Sequence, residues 1–223
     1  MKDSYIAGGV IILIIILGFI FANRGAEAPV KEELDNKITP SVTLSDGKYE
    51  LDIASSTISW HGEYLKGLAE EGTVNLSSGN FIISENRVKE GSFEIDMNSI
   101  ESTPHKDKLV EHLKNEDFFD VENFPTAIFV LKGIISSDKA GFEGEQSIVN
   151  GDLTVKGITK PISFFVTITG DENNLHATAS FSINRADWEI KYNSQSFFSN
   201  LGDKIINDIV TIGLDLNAQK VIQ

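Results

Sequence analysis

The sequence predicts an all-β domain of antiparallel strands, a sandwich or barrel, carried behind an N-terminal membrane-spanning segment. Three observations predict it. From Tyr49 onward apolar and polar residues alternate with a period of two; Gly, Asn and Asp clusters divide that pattern into short runs; and an uncharged apolar run precedes all of it.

The apolar run comes first in the chain. Tyr5 to Ala22 carries no charge and is dominated by Ile and Leu. As a helix it would reach about 27 Å, close to the hydrocarbon thickness of a bilayer. Lys2 precedes it and Arg24 follows, so the charge bias that sets orientation is weak. The large domain downstream would be exported, giving a single-pass cell-membrane protein with its C-terminal domain extracytoplasmic (periplasmic). The alternative is a signal peptide cleaved near Ala26-Glu27-Ala28, with release to the periplasm; the run is longer than a usual signal core, and Pro29 would hinder the cut. Residues 1–22 are therefore read as the anchor.

Residues 23–47 follow as a flexible linker, acidic, short of large apolar groups and interrupted by Pro29 and Pro40. The remaining segment, 48–220, is the folded domain. With 223 residues in all, 41% hydrophobic and 23% charged, the chain has room for one substantial core.

Strict alternation marks the strands. Ile58 and Trp60, then Val74 and Leu76, then Phe93, Ile95 and Met97 alternate with polar neighbours; so do Ala177, Ala179, Phe181 and Ile183, and finally Val210, Ile212, Leu214 and Leu216. Ala127–Leu131, Gly151–Val155 and Ile162–Ile168 read as further strands. Ser78-Gly79-Asn80 and Asp171-Glu172-Asn173-Asn174 read as turns. One stretch breaks the pattern: Thr103 as N-cap, Pro104 at the first position and Leu109 and Leu113 on one face predict a helix running to about Asn115.

Charge and composition exclude several functions. A net charge of −14, from 33 acidic and 19 basic side chains, repels nucleic acid and anionic headgroups alike. The chain has no cysteine, which removes disulfides, thiolate metal sites and a cysteine nucleophile. The four histidines offer no metal set: His105 and His112 share the proposed helix without a third ligand, and His61 should point outward beside Trp60. Glu70-Glu71, Glu32-Glu33 and Glu116-Asp117 are sequence neighbours in polar surroundings rather than carboxyls facing across a substrate. Arg185-Ala186-Asp187-Trp188 with Tyr192 could set a charged pair beside a cavity or tie a strand end to a turn, with Arg stacked on Trp. Phe197-Phe198 ahead of Gly202-Asp203-Lys204 reads as a turn with a hydrophobic plug.

Four segments then become specific in combination: FEIDMNSI (Phe93–Ile100), HLKNEDFFDVENFPTAIF (His112–Phe129), GDLTVKGITKPI (Gly151–Ile162) and FSINRADWEIKYNSQSFFSNLGDKIINDIV (Phe181–Val210). In this order and spacing the chain resembles the YceI-like family of lipocalin-like, polyisoprenoid-binding proteins, from Tyr49 to about Ala218. The resemblance implies an eight-stranded antiparallel barrel with an elongated apolar cavity and a non-catalytic binding role without cofactors. In one respect the chain departs from the pattern. Ala69-Glu70-Glu71-Gly72 stands where many members carry a His ahead of the Gly that opens the second strand, a difference that bears on the ligand's polar head rather than on the fold.

The inner-face candidates for ligand contact are Trp60, Phe81, Phe93, Ile95, Met97, Phe129, Phe164, Phe181, Ile183 and Trp188. Phe118 and Phe119, with Phe124-Pro125, are expected at the cavity mouth, or else as an anchor packing the helix on the barrel. Burial yields roughly 0.8 kcal/mol per methylene, whereas association costs an estimated 4–15 kcal/mol, so a long isoprenoid or acyl chain suits such a site better than a small metabolite. The expected role is an extracytoplasmic carrier or buffer for that lipid. The rivals are a structural or adhesion module with a packed barrel, and a lipid-modifying enzyme using the same cavity. Whether the chain works alone or as a homodimer stays open.

Overall fold

The structure is a computed structural model that describes residues 44–64, 67–85, 87–136 and 146–222. The expected anchor and nearly all of the linker lie outside the described residues. No helix among the described residues is long and apolar enough to cross a membrane.

The domain is a closed antiparallel barrel. In chain order its strands are β1 (Gly47–Leu51), β2 (Thr57–Tyr64), β3 (Ala69–Ser84), β4 (Arg87–Ser102), β5 (Thr126–Ser136), β6 (Gln146–Val155), β7 (Ile158–Gly170), β8 (Asn174–Asn184) and β9 (Ile206–Lys220), with helix α1 (Asp107–Lys114) between β4 and β5. β2, β9, β8, β7, β6, β5, β4 and β3 pair in succession, and β3 pairs back with β2 to close the ring. β1 and β2 occupy one position in that ring. β1 pairs with the far end of β3 and with β9 at Leu51↔Ala218, and β2 takes over lower down at Ile58↔Val74 and Thr57↔Asp215. The nine segments thus make eight staves.

A 3₁₀ turn, Ile53–Ser55, joins the two halves of that stave. The Asp52 carboxylate accepts the Ala54 N–H at 3.2 Å, while Asp52 N–H donates to Asn217 O at 2.8 Å and holds the interruption against β9. Alternation places the core as expected: Ile58, Val74, Leu76, Ile95, Met97, Ala127 and Leu131 are all buried.

Two local readings are corrected. Ser78-Gly79-Asn80 is no turn, because β3 runs straight through it and reverses after Ser84, where Glu85 takes φ 55°. Gly79 serves a close approach instead: a Cβ there would lie 2.5 Å from Leu51 Cδ1. The helix begins at Asp107, later than a Thr103 cap implies. β4 continues through Ser102, Thr103 N–H extends its pairing by donating to Glu71 O at 2.8 Å, and the Thr103–Pro104 peptide is cis. Ser102 Oγ accepts the Lys106 N–H at 2.9 Å and turns the chain into the helix. His105 therefore precedes the helix and does not share a face with His112. Leu109 and Leu113 do fall on the barrel side, with Val110 and Leu113 buried.

Candidate functional site

Inside the barrel lies a cavity of about 330 Å³, at the low end of the range typical of ligand sites. It is long: Val88 and Ile100, at opposite ends of β4, both line it. Twelve positions at ~3.3 Å each, on a strand tilted by about 40°, correspond to about 30 Å along the barrel axis.

A belt of aromatic rings runs around this interior. Tyr49 stacks on Phe81 with centroids 5.3 Å apart, Phe81 meets Phe93 at 6.4 Å, Phe93 meets Phe129 at 6.1 Å, Phe129 meets Phe164 at 5.9 Å, and Phe164 stacks on Phe181 at 4.1 Å. The belt crosses β6 without a side chain of its own, because Gly151 stands there and leaves the space to the Phe129 ring. Apolar clusters fill out the wall on both sides. Toward the β7–β8 turn lie Ile83, Val88, Val149, Ile168 and Leu175; toward the helix lie Ile58, Leu76, Met97, Leu113 and Phe118.

Buried side chains pack at both ends of the barrel. Tyr49 is fully buried, and its hydroxyl donates to Glu172 O at 2.7 Å in the β7–β8 turn. At the other end Leu113, Phe118, Trp188 and Ile190 are buried, and Trp188 Nε1 donates to Leu153 O at 3.1 Å.

The polar groups on the wall gather at the helix end, around the β2–β3 hairpin and the start of β9: Glu63, Tyr64, Glu70, Arg185 and Asn207. Arg185 is 4% exposed and fully engaged. Its Nε donates to Asn207 O at 3.2 Å, Nη1 to Ile190 O at 3.1 Å and Nη2 to Ile206 O at 3.1 Å, and Nη2 lies 3.1 Å from Asp208 Oδ1. Asp208 Oδ2 in turn accepts Ser194 Oγ at 2.8 Å and Ser196 Oγ at 2.7 Å, which fastens the segment before β9. Burial pulls the Arg185 guanidinium below its ordinary range, and Asp208 opposes that pull. Glu70 forms an ion pair with Lys106. Burial pushes the Tyr64 phenol up, the Glu70 carboxylate adds to the rise and Lys106 opposes it.

All twelve side chains singled out in the sequence, from Trp60 to Trp188, stand on the cavity wall. Phe118 and Phe119 join it from the segment after α1, and Phe118 also meets the His112 ring edge-on at 4.9 Å, so it packs the helix and lines the cavity at once. Phe124 does not reach the cavity; it lies over Gly157. The Arg185 pairing differs from the expectation in both partners. Its acid is Asp208, Asp187 being exposed, and the ring beneath it is Phe118 at 6.0 Å rather than a tryptophan. Phe197 and Phe198 are 41% and 50% exposed, so they plug nothing within the domain. His61 pairs outward with Glu63 and Glu71, as its strand position requires. Among the described residues no group of His, Cys, Asp and Glu could hold a metal ion.

Sequence reasoning missed Tyr64, Glu70 and Asn207 as wall residues. They sit where strands end and alternation no longer tells in from out. It also left out Leu131, Val149, Val166, Ile168 and Leu214, which the same alternation could have identified.

A family model described as the YceI-like domain matches residues 49–218. The UPF0312 protein of Pseudomonas putida strain GB-1 is 28% identical over 115 residues, 51% of this chain and 57% of that protein. A UPF0312 protein of Photorhabdus laumondii is 27% identical over 135 residues, 60% of this chain and 66% of that one. The chain thus matches less than two thirds of the length of these curated relatives. Among solved structures, Burkholderia cenocepacia BcnA superposes with a TM-score of 0.61 at 20% identity, covering 75% of this chain and 98% of that one. A polyisoprenoid binding domain from Saccharophagus degradans, implicated in plant cell wall breakdown, superposes with a TM-score of 0.60 at 15% identity, covering 78% and 98%. At these identities the likeness is one of fold.

Proposed function

The chain belongs to the YceI-like domain family, and from that premise we propose that its barrel binds a single long apolar chain, an isoprenoid or a similar lipid, as a non-catalytic carrier. We assign its place to the outer side of the cytoplasmic membrane, tethered by residues 5–22. The observation that carries the reading is the shape and chemistry of the cavity: about 30 Å of axis walled by aliphatic and aromatic carbon from Val88 to Ile100. An oily tail gains roughly 0.8 kcal/mol for each methylene it buries there, and about twenty such groups clear the cost of association. The Saccharophagus degradans domain, which shares the fold, is described as polyisoprenoid binding, a ligand class of this shape.

The polar end narrows the ligand further. Glu70 is a wall carboxylate paired with Lys106, Arg185 is spent on Asp208 and three carbonyls, and the Glu63 carboxylate turns outward to His61. A headgroup carrying phosphate would meet the Glu70 carboxylate and only cations already paired with an acid, a setting that favours an uncharged, hydrogen-bonding head. Among the described residues of the wall no Ser, Cys or Thr stands beside a His, which favours carriage over chemistry.

The test is native mass spectrometry of the full-length chain purified from its own source, followed by delipidation and titration with a fluorescent polyprenol. A co-purifying lipid mass and saturable, one-to-one rebinding support the carrier. Repeated absence of lipid, with no rebinding, overturns it in favour of a barrel that only packs.

A further inference from the structure

The wall of the barrel is not evenly closed. β7 and β8 are register partners only next to their turn, from Thr167↔Thr178 to Gly170↔Leu175. Yet β7 begins at Ile158 and β8 continues to Asn184. Each strand is held from its other side instead, β7 by β6 from Ile158 to Thr167 and β8 by β9 along its whole length. The two lips of this seam therefore keep their shape without each other. Pro161 lies on the unzipped stretch of β7 and has no N–H to offer a neighbour, which suits an edge.

What spans the seam is a pair of rings. Phe164 and Phe181 stack with centroids 4.1 Å apart and planes 11° apart. Both line the cavity, as do Ile162 and Ile183 on either lip. Outside the same lip, Phe165 is 56% exposed and in register with Ile148, which is in register with the 62% exposed Ile135. An oily chain crossing the lip stays in apolar contact throughout.

Other ways in are costlier. One end is tied by the Tyr49–Glu172 hydrogen bond, and the other by the carbonyl bonds of Arg185 and its pair with Asp208. The β4–β5 ladder also stops short, at Asp96↔Thr126, but there Met97 N–H bonds Pro125 O at 2.9 Å and α1 packs on β4. Separating β7 from β8 beyond Thr167 breaks no register pair; it parts the ring stack and eases the packing of the Arg185–Trp188 turn on β7.

We propose that the ligand passes sideways between β7 and β8, with the Phe164–Phe181 stack as the gate. The proposal rests on the carrier reading. Because the chain has no cysteine, a double variant adds a single addressable pair of thiols. Continuing the register past Thr167↔Thr178 sets Ser163 opposite Ser182, and both are exposed. The full-length Ser163→Cys/Ser182→Cys chain in mild detergent is bridged with a short cleavable dithiol-specific reagent. Stopped-flow then follows fluorescently labelled geranylgeraniol on and off. Bridging is expected to slow both rates at least tenfold while Kd changes less than about twofold, and cleaving the bridge restores them. A control bridge between Ser182→Cys and Thr211→Cys, register partners on the zipped β8–β9 pair, leaves the rates unchanged. Phe164→Leu with Phe181→Leu speeds exchange severalfold. Unchanged rates in the bridged seam, or equal slowing by the control bridge, overturn the route while leaving the carrier standing. Failure of the unbridged chain to bind the probe overturns the carrier and the route with it.

Discussion

Gly151 on β6 and Phe129 on β5 share one space: a Cβ on the glycine would lie 2.2 Å from Phe129 Cζ and 2.7 Å from Val130 O. The ring covers the glycine and so joins the belt from Phe93 to Phe164. Gly151→Ala must push the ring into the cavity. Overpacking of this kind costs about 1–3 kcal/mol, and the displaced ring narrows the bore. Thermal unfolding should show the loss of stability, and titration with a fluorescent polyprenol should show weaker binding. A variant as stable as the parent, with full capacity, would mean that the belt is slack.

The Arg185–Asp208 pair predicts an asymmetric mutational response. Removing one partner of a buried pair strands the other, typically at about 3–5 kcal/mol. Asp208→Asn should therefore destabilise by about 3 kcal/mol, and it should also loosen the segment that Ser194 and Ser196 tie down. Urea denaturation measures the first effect. Faster hydrogen exchange at residues 189–205 reports the second.

His105 predicts a pH dependence. Its Nε2 lies 2.7 Å from Asp107 Oδ1 and its Nδ1 lies 2.6 Å from Glu101 Oε2, and these bonds, Asp107 first, raise its pKa above the ordinary value. A group whose folded pKa is raised stabilises fully below the unfolded value, about 6.5, and that contribution is lost as pH rises through the folded pKa. An NMR titration of the imidazole should place its midpoint above that of a free histidine. Asp107→Asn should bring it down, and an unmoved midpoint in that variant would refute the assignment.

Glu70 predicts headgroup choice. A carboxylate at about 4 Å from a phosphate repels it by about 1 kcal/mol in water and about 4 kcal/mol in a partly shielded site. Glu70→Gln should raise affinity for a polyprenyl phosphate about tenfold while changing affinity for the matching alcohol by less than about threefold. Competition binding with the two ligands compares them directly; parallel changes in both would show that Glu70 acts on the fold and not on the head.

Much of this was legible in the sequence because a strand's side chains have a period of two. Phe93, Ile95 and Met97 could only face one way together, and burial of any one of them settles the rest. The family resemblance supplied closure into eight staves, which periodicity alone leaves undecided between sandwich and barrel. Local reasoning failed where a residue serves a distant partner. Gly79 looks like a turn until Leu51 is seen against it, and Arg185 looks for an acid nearby in Asp187 while its partner lies 23 positions on at Asp208. The wall positions of Tyr64 and Glu70 were hidden for a related reason, since they depend on how the hairpin meets β9 and α1.

The cavity ends among Val88, Ile168 and Leu175, beside the β7–β8 turn that the Tyr49 hydroxyl ties down, and a bore of fixed length is a ruler. Each further carbon on a ligand strengthens binding only until the tail reaches those side chains. Beyond that point added length must stay in water or fold back, so affinity plotted against chain length should climb and then flatten. Where the curve bends is set by the distance from Glu70 and Tyr64 at one end of the wall to Val88 at the other.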